Sequence, residues 1–380
     1  MKKLNYRNLH LYLPVITLIP LLLLLLLGQD AKSSPILPTE RQIAFNRAKT
    51  LDNGISISWL EQTWNTGMLK TDGIKPSDLQ LLKKLGFKSI RLPVAFRYFE
   101  KTNIPQQQVL ARIDKVWALC LQYGFKLIID YHYGDLADSN YLSATQNIIN
   151  TWTIIAKRYR HADANTLFYE VYNEPPPMNP QTWKDAAYNI VKAIRKIDKR
   201  RTLLVGASNY NSIYELSRFV RLPDENIIYT FHFYEPFLFT HQGAEWVGDQ
   251  MATTGVPFPY NEEKFPAMNS RAKGTAGEAN YNKYRLDGNE GSVKDKLQIV
   301  KNWGNKYAVP IICGEYGSYN KYADEQSRCN YVNAVRKSLK ILNIPGILWD
   351  YNTSFSLFKG PPSIADLSDC MKQALGYTGR

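Results

Sequence analysis

A single (β/α)8 barrel, an α/β fold, is the architecture this sequence predicts, and three observations predict it. Eight short runs rich in β-branched and aromatic residues alternate with amphipathic segments between residues 39 and 380, the strand-then-helix rhythm of a parallel barrel. Five of the six residues of the run Leu167–Tyr172 are apolar or aromatic, Glu170 being the exception, which suits a strand covered on both faces. Polar residues collect where the runs stop, and in such a barrel the C-terminal strand ends converge on one mouth. A doubly wound sheet would usually need fewer strands, and no repeat of ~20–50 residues suggests a solenoid.

The strands are expected at Ile55–Trp59, Ser89–Pro93, Leu127–Tyr131, Phe168–Asn173, Thr202–Gly206, Ile227–Phe231, Ile311–Glu315 and Gly346–Asp350. Pro175 ends the fourth run just after Asn173-Glu174, because proline donates nothing to a ladder. Helices are expected at Lys75–Gly86, Gln108–Gly124, Ala144–Arg160, Pro180–Asp198, Ser212–Phe219, Gly291–Tyr307, Glu325–Leu342 and Ile364–Leu375. In the seventh, Tyr331, Val335, Leu339 and Leu342 recur at the spacing of one buried face. Gly86, Gly124 and the turn Asn343-Ile-Pro-Gly346 close helices before the next strand. The interval Phe239–Glu290 is polar and Gly-rich without a sustained period, and holds Trp246, Phe258, Tyr260, Tyr281 and Tyr284. Such intervals are usually functional or mobile, so it reads as a cleft wall or as a surface insertion.

The N-terminus carries Lys2, Lys3 and Arg7 before an apolar run from Leu9 to Leu27. A positive flank before an apolar stretch marks export. The run approaches the ~20 residues that span a bilayer, so residues 1–32 are expected to be a signal peptide or a signal anchor. Either way the remainder is exported: periplasmic, secreted, or anchored facing outward. A Ser/Pro-rich connector, 33–38, leads into one domain, 39–380.

The formal charge is +13; setting aside residues 1–32 removes four cations and one anion, leaving +10. The Lys and Arg residues are scattered, apart from Lys199-Arg200-Arg201, so a solvated basic surface is favoured and no nucleic-acid partner is expected. A membrane is expected to matter only through the N-terminal segment, and the chain is expected to act as a monomer. Cys120 and Cys313 fall in apolar settings and read as buried thiols. Cys329 and Cys370 fall on the last two helices, where an oxidising compartment permits a bridge. No Cys/His metal spacing occurs, and neither a metal nor another cofactor is expected.

The strand ends present Arg91, His132, Asn173 with Glu174, His232 with Tyr234, Glu315 and Trp349. Each has a plain structural reading alone: a strand-end Arg pairs with a carboxylate, an isolated His satisfies itself, a Trp fills core. Together they are harder to dismiss, since the chain has only five His. Two Glu at strand ends suggest glycoside hydrolysis by paired carboxylates. Glu174 would protonate the leaving oxygen and Glu315 would attack the anomeric carbon, which requires one raised pKa and one carboxylate kept ionised. Arg91 and Tyr234 are placed to hold Glu315 charged. Asn173 would donate to the sugar 2-hydroxyl, and Trp349 would face the ring. The aromatic content of 13%, with 25 Tyr and 8 Trp, fits such platforms as well as it fits a Tyr-rich core.

Arg91-Leu-Pro-Val, Tyr131-His132, Asn173-Glu174-Pro175, His232-Phe-Tyr234, Gly314-Glu315-Tyr-Gly317 and Trp349 resemble, in order, the motifs of glycoside hydrolase family 5, the cellulase family of retaining β-glycanases. The resemblance covers nearly all the chain after residue 38. It implies Glu174 as acid/base and Glu315 as nucleophile, with Arg91, His132, Asn173, His232, Tyr234 and Trp349 around the sugar. Phe239-Thr-His241-Gln242-Gly-Ala-Glu-Trp246 looks like a segment of bacterial endoglucanase-like members. Tyr316 stands where Phe is common, and Asp350-Tyr after Trp349 departs from the pattern.

The function so implied is internal cleavage of a β-1,4-glucan, cellulosic or mixed-linkage. A β-mannanase or β-1,3-glucanase of the same chemistry remains open. A non-catalytic glycan-binding barrel would be expected to lack a carboxylate, and both are present. A metal-dependent hydrolase built on His132 and His232 would want further ligands.

Overall fold

A computed structural model describes residues 37–61, 73 and 75–379, so the expected signal or anchor lies outside the described residues. Thr39–Arg380 forms one compact unit. Eight parallel strands close into a barrel in sequence order: β1 Gly54–Ser56, β2 Ser89–Val94, β3 Lys126–Tyr131, β4 Leu167–Glu170, β5 Leu203–Val205, β6 Ile227–Phe233, β7 Ile311–Tyr316 and β8 Gly346–Leu348, with β8 pairing back onto β1. The expected fold is the observed one.

Alternation along each strand sorts its side chains between two cores. Outward residues such as Ile90, Leu92, Leu127, Ile129, Tyr169 and Tyr229 join the large cluster shared with the helices. Inward residues Ile128, Phe168, Leu204, Ile228, Ile312 and Ile347 form a separate cluster with Ala48 and Leu51. Those last two belong to the end of a helix, Glu40–Thr50, that plugs the N-terminal end of the barrel. Its start is set by a capping box, Thr39 accepting from Gln42 N while the Gln42 side chain accepts from Thr39 N. Sequence periodicity did not flag this helix, because only Ala44 and Ala48 of it are buried.

The outer helices follow their expected positions within a few residues. Pro180–Arg195 shows why: Asn179 caps it, Pro180 begins it, and Trp183, Ala186, Ala187, Ile190, Val191 and Ile194 line one buried face. Several edges differ. β1 ends at Ser56 rather than Trp59, β4 at Glu170 rather than Asn173, and β8 at Leu348 rather than Asp350. Each shortened strand ends where the chain turns toward the mouth. β6 runs on to Phe233, carrying His232 inside the ladder. The last helix begins at Asp369, not Ile364, under the cap of Ser368.

The interval Phe239–Glu290 is neither a bare wall nor a loose insertion. A twelve-residue helix, Ala276–Asp287, runs within it, and Phe258 and Tyr284 are fully buried beside Tyr331. Its first part alone reaches the mouth. The bridge Cys329–Cys370 is formed, with Cα atoms 5.7 Å apart, and Cys120 and Cys313 are free and buried. Among the described residues no helix is long and apolar enough to cross a membrane.

Candidate active site

Beyond the apolar bottom layer, the inward positions of the barrel turn polar. Arg91 on β2, Asp130 on β3 and Glu170 on β4 are wholly buried. Arg91 Nε and Nη2 donate to Glu170 at 2.7 and 3.1 Å, and Nη2 lies 3.0 Å from Asp130. The same guanidinium donates from Nη2 to Asn173 Oδ1 and from Nη1 to Glu315 Oε1, both at 2.7 Å. A planar cation with five fixed donors can bind four groups on three other strands, which a lysine cannot. Burial opposes that charge, yet Asp130, Glu170 and Glu315 together hold the Arg91 pKa well above normal.

Glu315 sits near the end of β7, where the register against β6 and β8 shifts. Gly314 makes this possible, since a Cβ there would lie 2.3 Å from Thr230 Oγ1. The carboxylate is gripped on both oxygens: Arg91 Nη1 donates to Oε1, and Tyr234 Oη donates to Oε2 at 2.8 Å. Burial leaves the Glu315 pKa above its ordinary value, against the pull of the Arg91 cation. The Tyr234 phenol is pushed well up by burial and by Glu315, so it stays a donor.

Glu174 lies across the mouth on the loop after β4, with its side chain 31% exposed. His232 holds it, with Nδ1 2.6 Å from Glu174 Oε1 and 3.4 Å from Glu315 Oε2. Burial lowers His232 to about 4, so the ring is neutral and offers no charge to keep Glu174 ionised. Burial accordingly pushes Glu174 up to about 7. The two carboxyls thus occupy unlike settings, one held by a cation and a phenol, the other by a neutral imidazole. One oxygen of each, with a His232 nitrogen, lies within 4.8 Å of the others.

His132 packs flat against Trp349, ring centroids 5.7 Å apart and planes 4° from parallel, and its Nδ1 contacts Asp130 at 2.7 Å. All eight residues singled out from the sequence therefore line one mouth.

Other residues of the site were not foreseen. Asp130 and Glu170 support Arg91 and His132 from below; a signal existed in their inward phase, each two residues beyond an apolar inward residue. Asn211 reaches the site because Gly206 leaves it room, and it donates to Asn173 O. Glu61, buried after β1, accepts from Tyr133 Oη beside His132. His241 is wedged against Tyr234 and Phe237, with Trp246 beyond it 60% exposed over Tyr319. Nothing local in the sequence marks Asn211 or Glu61, whereas His241 and Trp246 lie in the segment Phe239–Trp246 that resembles endoglucanase-like members.

The family profile described as Cellulase (glycosyl hydrolase family 5) matches residues 49–354. Endoglucanase 3 of Fibrobacter succinogenes is 28% identical over 352 residues, 85% of this chain and 53% of its own length. This chain therefore spans about half of that relative. Endoglucanase C of Acetivibrio thermocellus is 29% identical over 293 residues, covering 73% of this chain and 84% of its own. A crystal structure of a hyperthermophilic endo-β-1,4-glucanase with substrate superposes with a TM-score of 0.71 at 24% identity, over 88% of this chain and 99% of that one, a likeness of fold.

Proposed function

This chain belongs to glycosyl hydrolase family 5, the cellulase family, and on that premise we propose that it is an exported, retaining endo-β-1,4-glucanase. The observation that carries the reading is the pair Glu174 and Glu315, with oxygens within 4.8 Å of each other and unlike hydrogen-bond partners. Retaining glycosidases set their carboxyls ~5–5.5 Å apart, whereas inverting ones need ~6.5–9.5 Å to admit a water.

In the proposed reaction Glu315 attacks the anomeric carbon while Glu174 gives its proton to the departing glycosidic oxygen. A covalent glycosyl–Glu315 ester results. Glu174, now a carboxylate, removes a proton from water as that water attacks the same carbon, and Glu315 departs. Arg91 and Tyr234 orient Glu315 and hold its charge; His232 keeps Glu174 in place without ionising it. Asn173, turned by Arg91 and Asn211, faces the sugar 2-hydroxyl, and Trp349 backed by His132 offers a ring face. The Trp246–Tyr319 corner adds an aromatic platform for the neighbouring sugar.

Several sequence and structural features support the wider reading. The Endoglucanase names of its relatives favour an internally cut β-1,4-glucan. The apolar run Leu9–Leu27 and the Cys329–Cys370 bridge favour export into an oxidising compartment.

The test is reducing-sugar release from carboxymethyl cellulose, barley β-glucan, glucomannan and laminarin by wild type, Glu174→Ala and Glu315→Ala. Activity on the first two, lost in both variants, is the expected outcome. A preference for glucomannan would change the substrate; glucan binding without release by the wild type would end the enzymatic reading.

A further inference from the structure

At the N-terminal end of the barrel, opposite the catalytic mouth, lies a cavity of about 750 Å3. Three helices end around it, Glu40–Thr50, Glu325–Ile341 and Asp369–Leu375, beside the start of β8. Lys49, Lys88, Arg336, Lys337 and Lys340 line it against a single acid, Asp52.

Such a cluster has an ordinary explanation, since cations favour the negative ends of helices. The magnitudes decide against that being all. Each helix end supplies roughly half a negative charge, about −1.5 for three, whereas five cations and one acid give the lining a formal +4. With Glu290 set against Lys337, about +1.5 remains, so roughly half of the net positive charge is unanswered. Only Lys337 has a carboxylate partner among the described residues, Glu290 at 3.0 Å. Arg336 is held by neutral acceptors instead, Nη1 donating to Asn53 Oδ1 at 2.7 Å and Nη2 to the Leu375 carbonyl at 3.1 Å. A half-buried guanidinium fixed in direction by neutral groups keeps its charge available to a ligand.

We propose that this cavity is an anion site that takes a phosphate ester. Several convergent Lys and one oriented Arg suit an oxyanion carrying more than one charge. The volume lies within the ~300–1,000 Å3 of small-molecule sites, so it holds a phosphate together with the group that bears it. That group is either a soluble metabolite or the headgroup of an anionic lipid; the phosphate is common to both. Because the cavity and the mouth are at opposite ends of the barrel, an occupant here leaves the cleft free for a polymer.

The test uses the full chain in neutral-detergent micelles, so that the apolar N-terminal run is accommodated alike in every arm. Pyrophosphate is titrated calorimetrically. Separately, hydrogen exchange of residues 333–346 and 373–376 is followed with and without phosphatidylglycerol in the micelles. The double variant Lys88→Glu/Lys340→Glu alters two exposed cations of the cavity; Lys264→Glu/Lys273→Glu makes the same charge change elsewhere on the surface. Pyrophosphate affinity, or protection by phosphatidylglycerol, is expected to fall at least about tenfold in the cavity pair alone, with glucan hydrolysis unchanged throughout. Binding of pyrophosphate only identifies a soluble phosphate; protection by phosphatidylglycerol only identifies a lipid headgroup. No response to either probe, or equal loss in both variants, overturns the site.

Discussion

Glu174 and Glu315 are the same residue type, and their partners make them different. Burial acts on both. Arg91 lies in hydrogen-bond contact with Glu315 and acts on Glu174 only from farther away, and Tyr234 donates to Glu315 as well, so Glu174, pushed up to about 7, carries a proton near neutrality. An acid catalyst is active in its protonated form, so raising the pH through about 7 should deplete it. The expected profile of kcat/KM therefore loses about tenfold per pH unit on the alkaline side. Glu174→Gln, assayed on a glycoside whose leaving group needs no proton, should lose that limb; an unchanged limb would assign it to another group. Tyr234→Phe removes one donor from ionised Glu315. Its kcat is expected to drop by about 10²-fold, the usual worth of one such donor. The acid limb should also move to higher pH, because a carboxylate with fewer donors protonates more readily; a fall in kcat with a fixed acid limb would mean that Tyr234 only shapes the pocket. At this scale the eight chemical residues were legible because each stands next to a strand-ending signal. Asn211 and Glu61 were not, since each reaches the mouth from a segment whose path local sequence does not encode.

Among the elements, the strands were easier to find than to end. β4 stops at Glu170, yet Val171 N and Asn173 N still donate to the Leu204 and Tyr131 carbonyls, so hydrogen bonds to both neighbouring strands continue past its end. Hydrophobic pattern alone does not separate ladder from extended loop. The helix Glu40–Thr50 shows the reverse difficulty: its capping box is written in the sequence, but with two buried alanines it lacks a stripe. The helix at Asp369–Leu375 is only seven residues long, too short to be stable alone, and the bridge from Cys370 to Cys329 ties it down. Closing a separation of 41 residues removes roughly 4 kcal/mol of chain entropy from the unfolded state. Cys370→Ser should accordingly lower the unfolding free energy by up to about that amount in denaturant titration, with kcat unchanged because the bridge is remote from the carboxyl pair. Equal stability of oxidised and reduced wild type would show that packing alone holds the helix.

Across the whole molecule, the barrel puts chemistry at one end and a basic cavity at the other. Its mouth gathers side chains from all eight strands or the loops that follow them, so no contiguous piece of chain contains the site. Glu174, His232 and Glu315 are close enough to invite a metal, but hydrogen bonds among them, Arg91 and Tyr234 already give each carboxyl its task. Full activity is therefore expected after dialysis against a chelator; loss restored by one added divalent ion would require a different mechanism.

The sequence by itself determined the barrel, through eight β-rich runs in register with amphipathic helices, and determined which eight residues meet at its mouth. Both follow from local rules, since periodicity reports burial and a strand end reports direction. Tertiary structure alone decided how those residues divide the work. The split between Glu174 and Glu315 depends on donors from β2 and β6, and electrostatic energies depend on distances that only the closed barrel sets. It also decided that Phe239–Glu290 is half wall and half core, and that cations scattered along the chain gather around one cavity. Such convergence is a property of three-dimensional closure, which no local pattern carries.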